Sequence, residues 1–311
     1  MSCRYILFIM MIIDDSYVHE ENNRCIVEDL FYTKSISMLY GKDKMGKSYL
    51  ALYLSGCISD GKYILNRLKV CDNNKVLYFN GEMPVNILKN RINKLMDKYN
   101  FTFNNLIVVN KFPFKSIDGI KEFIKIKIEQ YKPSFVVIDS ISFYFWDINI
   151  VDKIDAQKFM QFLYEMAFNY DIHILFINHQ KKTDVEFIGD RLIGSLSTNV
   201  FKVEIEKGNV YKCYLEKSHI GSKLFIYYWF LKDGTIIIKE NKPKWKKSKK
   251  DEILNILNDN REIRVNDLYN MIKNKMARAT YYNILKKLEK DGIIKREGST
   301  RNAVVKLIKE V

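Results

Sequence analysis

The fold class expected from the sequence is α/β: a mostly parallel sheet flanked by helices, a C-terminal antiparallel meander, and then a small separate module. Three observations predict it. From Ser35 to Asn178, short apolar runs alternate with segments of helical length and periodicity. From Val200, strand-like runs follow one another with tight turns between them. Beyond a lysine-rich stretch, the last sixty or so residues return to helical periodicity and end on two short strand patterns.

Residues 1–34 form a poorly defined lead-in. Tyr5 to Ile13 is apolar but too short to span a bilayer, and Asp14 and Asp15 stand where a signal peptide would need small residues. It reads as a buried strand or an over-long start, with Met10 and Met11 as alternative initiators. Strands are expected at Ser35–Tyr40, Lys75–Asn80, Leu106–Asn110, Ser134–Asp139 and Ile172–Asn178. Helices are expected at Lys47–Ser59, with Gly61 as its stop, at Pro84–Tyr99, at Ile117–Tyr131, ended by Pro133, and at Asp155–Tyr170. The meander is placed at Val200–Glu206, Val210–Glu216, Lys223–Phe230 and Thr235–Lys239, with turns at Lys207-Gly208-Asn209 and Asp233-Gly234.

Charge divides the chain. The formal net charge is +14, of which residues 1–240 carry +4, residues 241–250 carry +6 and residues 251–311 carry +4. A basic excess concentrated in the last 71 residues favours an anionic partner there, nucleic acid above all. The expected organisation is a domain over 1–240, a basic linker over 241–250, and a small domain over 251–311. The five cysteines, Cys3, Cys25, Cys57, Cys71 and Cys213, have neither metal-ligand nor redox spacing. They read as isolated thiols of a cytoplasmic protein.

Gly41-Lys42-Asp43-Lys44-Met45-Gly46-Lys47-Ser48 follows a strand and opens a helix. This is the G-x-x-x-x-G-K-S pattern of a phosphate-binding loop. Its glycines let backbone approach the phosphates, and the amides of the loop and helix start face the anion. Lys47 is expected on the β- and γ-phosphates of ATP, Ser48 on Mg²⁺, and Tyr49 at the edge of the same site. Asp139 closes an apolar strand, where a second carboxylate on the Mg²⁺ side is needed. Glu82, just past the Lys75–Asn80 strand, is the candidate for activating water. His179 and Gln180 end another buried strand and are candidates for sensing the γ-phosphate.

These stretches resemble the RecA/KaiC/DnaB superfamily of P-loop ATPases, most closely its RepA-type plasmid and phage replicative helicases. The residues that carry the likeness are Ser37-Met38-Leu39-Tyr40 before the loop, Val76-Leu77-Tyr78-Phe79-Asn80-Gly81-Glu82-Met83-Pro84, Phe135-Val136-Val137-Ile138-Asp139-Ser140, and Phe176-Ile177-Asn178-His179-Gln180-Lys181-Lys182. Gly194-Ser195 and Tyr214-Leu215-Glu216-Lys217 follow, and the likeness spans roughly residues 27–239. The resemblance implies a RecA-like fold, ATP hydrolysis with Mg²⁺, and assembly into a homo-oligomeric ring or filament with ATP sites between subunits. It also implies a basic finger from the neighbouring subunit. Lys217 is the expected finger and Arg191 the second candidate; the Arg that the family carries two positions after that Lys is His219 here. The loops after the Asp139 and His179 strands would face DNA, through Lys181, Lys182 and Arg191, and through stacking on Phe143-Tyr144-Phe145-Trp146. The resemblance supports a replicative, helicase-type ATPase of a plasmid or virus; the alternative is an ATP-gated DNA-binding regulator or a KaiC/RadA-like recombinase paralogue that does not unwind.

Residues 251–311 read as a winged helix-turn-helix. Helices are expected around Ile253–Leu257, Val265–Lys273 and Ala277–Lys290, and strands at Ile293–Arg296 and Ala303–Leu307. Arg278, Tyr282, Asn283 and Lys286 on the third helix are candidates for a major groove, and Arg301 at the wing tip for a minor groove. A chain ended near Glu240 retains the named ATP-site residues and loses +10 of the +14 charge. It is expected to keep ATP binding and lose duplex affinity. The slope of log K against log salt should fall by about 0.9 for each DNA phosphate that the shortened chain no longer neutralises. Salt-dependent binding titrations check this, and an unchanged slope would exclude the small domain from touching DNA.

Overall fold

A computed structural model describes residues 23–71, 74–110, 116–180, 186–207, 209–219, 224–242, 249–260, 262–298 and 303–308. The chain divides into two units, Met1–Lys242 and Pro243–Val311. In the first, a nine-stranded sheet is built from β3 (Ser35–Gly41), β4 (Val76–Asn80), β5 (Leu106–Asn110), β6 (Phe135–Asp139), β7 (His173–His179), β8 (Asn199–Lys207), β9 (Val210–Ser218), β10 (Phe225–Phe230) and β11 (Ile236–Lys239). Its order is β11-β10-β9-β8-β3-β7-β6-β4-β5. Strands β3 to β8 pair in parallel, and β8 to β11 form the antiparallel extension.

Strands β3, β4 and β6 are buried along their whole length, which is why their sequences are continuous apolar runs. Successive side chains enter different cores. Leu39, Tyr78, Val137 and Leu175 pack on one face with α1 (Lys47–Ser59) and α2 (Val85–Tyr99). Met38, Leu77, Val136 and Ile174 pack on the other with α3 (Ile117–Tyr131) and α5 (Lys153–Asn169). A short α4 (Ile141–Tyr144) and α6 (Arg191–Leu196) complete this unit's helices among the described residues. Each fully buried aliphatic or aromatic side chain contributes about 1.5–3 kcal/mol. An exposed ion pair such as Lys158–Asp155 is worth about 0–1 kcal/mol, so the two cores, not surface charge, hold the fold.

Local signals account for the helix starts. Ser116 accepts from the Gly119 amide at α3, and Asp152 from the Ile154 and Asp155 amides at α5. The Asp152 cap places the start of α5 two residues before the position expected from periodicity. In α1 every residue but Ser48 is buried, which explains the absence of an amphipathic stripe.

Part of the lead-in is structured. β1 (Cys25–Val27) and β2 (Phe31–Tyr32) pair with each other, and Ile26, Val27, Leu30 and Phe31 sit in the α1-side core. Isolated thiols were expected, yet Cys25 Sγ lies 2.8 Å from Cys71 Sγ. Tyr5–Ile13 lies outside the described residues. Among the described residues, no helix is long and apolar enough to cross a membrane.

The second unit holds α7 (Lys249–Asn260), β12 (Glu262–Arg264), α8 (Val265–Ile272), α9 (Arg278–Lys290), β13 (Ile294–Glu297) and β14 (Val304–Leu307). The strands form a sheet of order β12-β14-β13 over a core of Ile253, Leu257, Leu268, Tyr281, Leu285, Leu288 and Val305. Two features differ from expectation. The first helix begins at Lys249, inside the stretch read as linker, and β12 adds a third strand.

His173 is buried between Phe31 and Phe135, its ring stacked on Phe135 at 5.2 Å. Its Nδ1 lies 2.9 Å from the Tyr32 carbonyl oxygen and 2.8 Å from Ser35 Oγ, which fits an Nδ1–H tautomer. Nε2 is buried with no partner among the described residues. Burial pushes its pKa down to about 4, below the unfolded value near 6.5. The neutral ring therefore favours the fold above pH 6.5, and that stability drains away as pH falls towards 4. The gap is worth on the order of 3 kcal/mol. Thermal unfolding is expected to show Tm falling between pH 6.5 and 5, with a flatter profile in His173→Gln. An equal slope in the variant would assign the loss to other groups.

Candidate nucleotide-binding site

Parallel register brings the strand ends together. Gly41 lies opposite His179, and Asn80 opposite Asp139, so the segments leaving β3, β4, β6 and β7 emerge on one edge. There they line a cavity of about 740 Å³, a size suited to a small-molecule ligand.

The loop between β3 and α1 needs its glycines for steric reasons. A Cβ on Gly46, whose φ is +80°, would stand 2.6 Å from Phe230 Cζ. One on Gly41 would stand 2.8 Å from the Val203 carbonyl oxygen. Gly46 precedes α1 with no side-chain cap, so the first amides of the helix remain available to an anion. Lys47 is buried, and its Nζ donates to the carbonyls of Gly41 and Lys42, 2.9 Å each. Burial lowers its pKa, opposed by Asp43, Glu82 and Asp139. Of the other loop residues, Asp43, Lys44 and Met45 line the cavity, and Lys42 is exposed.

Asp139 ends β6 fully buried. Ser48 Oγ donates to Oδ1 at 3.1 Å and Tyr78 OH to Oδ2 at 2.6 Å, while the Gly81 amide donates to the Asp139 main-chain carbonyl at 2.7 Å. Burial nevertheless pushes its pKa up to about 6. A carboxylate beside a hydroxyl, both hard oxygen donors, suits Mg²⁺, whose charge would reverse that shift.

Glu82 Oε1 accepts from Ser140 Oγ, lies 3.4 Å from Ser142 Oγ, and lies 3.4 Å from His179 Nε2. The His179 contact is the main reason its pKa falls to about 2. The other ring nitrogen of His179, Nδ1, is 2.6 Å from Asp43 Oδ1, and the Glu82 contact is the largest cause raising its pKa. The base of the site is thus a chain, Asp43–His179–Glu82–Ser140. A carboxylate held near 2 is a weak proton acceptor at neutral pH and a strong hydrogen-bond acceptor, better suited to orienting water than to storing its proton.

Lys47, Ser48, Tyr49, Glu82, Asp139 and His179 therefore line one cavity. Gln180 does not line it; its amide donates to the Gly41 carbonyl at 3.0 Å. Lys217 and Arg191 line a different cavity, of about 440 Å³. Lys217 Nζ donates to the carbonyls of Gly194, Ser195 and Ser197 at the end of α6, whereas Arg191 is largely exposed, 3.6 Å from Glu186. Tyr144 and Phe145 are core residues; of the aromatic stretch expected to stack on bases, only Trp146 is well exposed, at 59%. In the second unit Arg278, Asn283 and Lys286 are exposed on α9, with Tyr282 half-buried against Tyr281. Lys181, Lys182 and Arg301 lie outside the described residues.

Some site residues escape the sequence reading. Tyr78 looks like any aromatic in a buried strand, though it shares a strand face with Asn80, two positions on. Arg91 sits 5.1 Å over the Tyr49 ring, and Phe230 packs on that ring from β10. Tyr228 OH donates to the Met45 carbonyl. The partner of each lies at least 30 residues away in sequence, so no local pattern reports it.

A family model described as AAA domain matches residues 11–185. The chain belongs to this AAA-domain family of P-loop ATPases. The match contains Gly41–Ser48, Glu82, Asp139 and His179, and it ends before β8. A search of curated proteins found no match. Among solved structures, the chain is similar to a KaiC-like protein from the hyperthermophilic archaeon Pyrococcus horikoshii OT3. Identity is 12% and the TM-score 0.49, covering 68% of this chain and 93% of that one. Within the AAA domain, the Tyr78 hydroxyl is expected to hold Asp139 in place. Tyr78→Phe should fold normally and raise the Mg²⁺ needed for half-maximal nucleotide binding by roughly tenfold. An unchanged Mg²⁺ midpoint would leave Tyr78 as a packing residue only.

Proposed function

We propose that this protein is a DNA-associated, oligomeric, Mg²⁺-dependent ATPase, of the replicative helicase type that serves a plasmid or virus. One observation carries the ATPase part of this reading, the rest of which is supported by the sequence resemblance and the basic C-terminal charge: Lys47, Ser48, Asp139, Glu82 and His179 converge on a single cavity at one edge of a parallel sheet. ATP phosphates enter along the loop amides and draw Lys47 Nζ away from its own carbonyls. Ser48 and Asp139 would hold Mg²⁺, which would supply positive charge to offset that of the phosphate oxygens. Glu82 orients the attacking water, and His179, fixed by Asp43, sits where it can meet the γ-phosphate. The larger unit is read as a RecA-like ATPase domain over 1–240. The smaller one is read as a winged helix over 251–311, presenting Arg278, Asn283 and Lys286 of α9 to DNA; Arg301, Lys181, Lys182 and Arg191, the last at the start of α6, are further candidates for DNA phosphates.

One observation favours a second reading. Three carbonyls of its own chain hold Lys217, so it must break those bonds to serve as a finger in a neighbour's site. An ATP-gated DNA-binding regulator or recombinase-like paralogue, without unwinding, needs no such finger. Steady-state ATP turnover with and without single-stranded DNA, with native mass for oligomer state, separates the two. Stimulation by DNA in a ring-sized species supports the first; DNA binding without stimulation in a monomer supports the second. Glu82→Gln is expected to bind ATP and Mg²⁺ normally and to turn over about 10²–10⁴-fold more slowly. Hydrolysis at the wild-type rate would move the water-orienting role to another residue.

A further inference from the structure

Cys25 and Cys71 stand apart from the nucleotide site and do not line its cavity. Cys25 opens β1, and Cys71 follows an isolated bridge between Val27 and Val70. Two backbone bonds hold these segments side by side: the Cys71 amide donates to the Ile26 carbonyl at 2.9 Å and the Glu28 amide to the Lys69 carbonyl at 3.0 Å. Ile26, Val27 and Val70 are buried, so packing fixes the backbone on both sides. The consequence is a Sγ–Sγ separation of 2.8 Å between residues 46 apart in sequence, with both cysteines half-exposed. A disulfide bond is about 2.05 Å long. Rotation of the side chains, with little backbone movement, would close the gap.

We propose that Cys25 and Cys71 form a reversible disulfide, an oxidative modification site that spans the phosphate-binding loop. A hydroperoxide is the oxidant. The Cys71 sulfur attacks the peroxide oxygen, the O–O bond breaks, and Cys71 becomes a sulfenic acid with loss of one water (or of one alcohol from an alkyl hydroperoxide). The Cys25 sulfur then attacks the Cys71 sulfur, the S–O bond breaks, and a second water leaves with the Cys25 proton. Two thiols lose two electrons and two protons in all, and the peroxide takes up both. A dithiol reductant restores the pair by exchange. Burial and the neighbouring Cys71 raise the pKa of the Cys25 thiol, so its proton stays on sulfur until the second step.

The bond closes a loop that contains β2, β3, Gly41–Ser48 and α1. It ties the β1–β2 hairpin to the segment beyond α1, and neither cysteine lines the nucleotide cavity. Its effect is to stabilise the fold around the loop, and it does not depend on the chain being an ATPase.

The test uses the full chain, reduced, desalted and exposed to a slight excess of hydrogen peroxide, then alkylated and digested with trypsin without reductant. Cysteines 25 and 71 fall in separate peptides, residues 25–34 and 70–75, each with a single cysteine. The expected result is a linked pair of these peptides, a whole-chain mass loss of about 2 Da, and a Tm raised by roughly 5–10 °C for a loop of this length. Dithiothreitol should reverse all three, and Cys25→Ser and Cys71→Ser should each abolish the linked pair and the Tm gain. Alkylation of both thiols after peroxide, pairing of either with Cys3, Cys57 or Cys213, or direct conversion of Cys71 to sulfinic acid would overturn the proposal. Should a serine variant fail to fold, the wild-type peptide map still decides.

Discussion

The register of the parallel strands is the constraint on which the rest depends. With Gly41 paired to His179 and Asn80 to Asp139, β3 ends level with β7 and β4 with β6, the two pairs offset by two residues because Ile138 lies opposite Phe176. The loops after them are therefore forced onto one edge. A slip of one residue in β6 would turn Asp139 to the opposite face and move Val137 out of the α1-side core. The register is held by apolar side chains that fill a core on both faces, so the chemistry at the edge is secured by packing far from it.

That packing sets the electrostatics. Asp139 is deep enough for burial to raise its pKa to about 6 despite bonds from Ser48 and Tyr78. Glu82, one strand over and more exposed, is driven to about 2 mainly by His179. Two carboxylates at neighbouring strand ends thus take different characters from their surroundings: one is suited to a cation, the other to an ordered water. Lys47, desolvated in the same cavity, is the cation that the three carboxylates around it stabilise.

Much of this is legible in the sequence where the signal is local. Gly41–Ser48 is contiguous, and Asp139 ends an apolar run, so the phosphate loop and the metal-side carboxylate could be named from the chain alone. Most strands and helices between Ser35 and Asn178 follow from run length, periodicity and stop signals, but α1 is buried nearly all round and shows no apolar stripe, and the four-residue α4 leaves no period to read. The lead-in was harder, because β1 and β2 are three and two residues long and show no period. Tyr78, Arg91 and Phe230 were not legible, since each acts through a residue distant in sequence. The aromatic run at Phe143–Trp146 was ambiguous because composition does not reveal which rings face the core.

The sequence by itself determined the identity of the phosphate loop, the alternation that makes a parallel sheet, and the concentration of positive charge beyond residue 240. These are properties of contiguous residues and need no knowledge of contacts. The tertiary structure alone decided which of the remaining groups meet. It placed His179 between Asp43 and Glu82, held Lys217 on three carbonyls of its own chain, and brought Cys25 against Cys71. Each of these contacts is made across a sheet or between segments tens of residues apart. Strand order and register set such distances, and they are fixed only when both cores have closed.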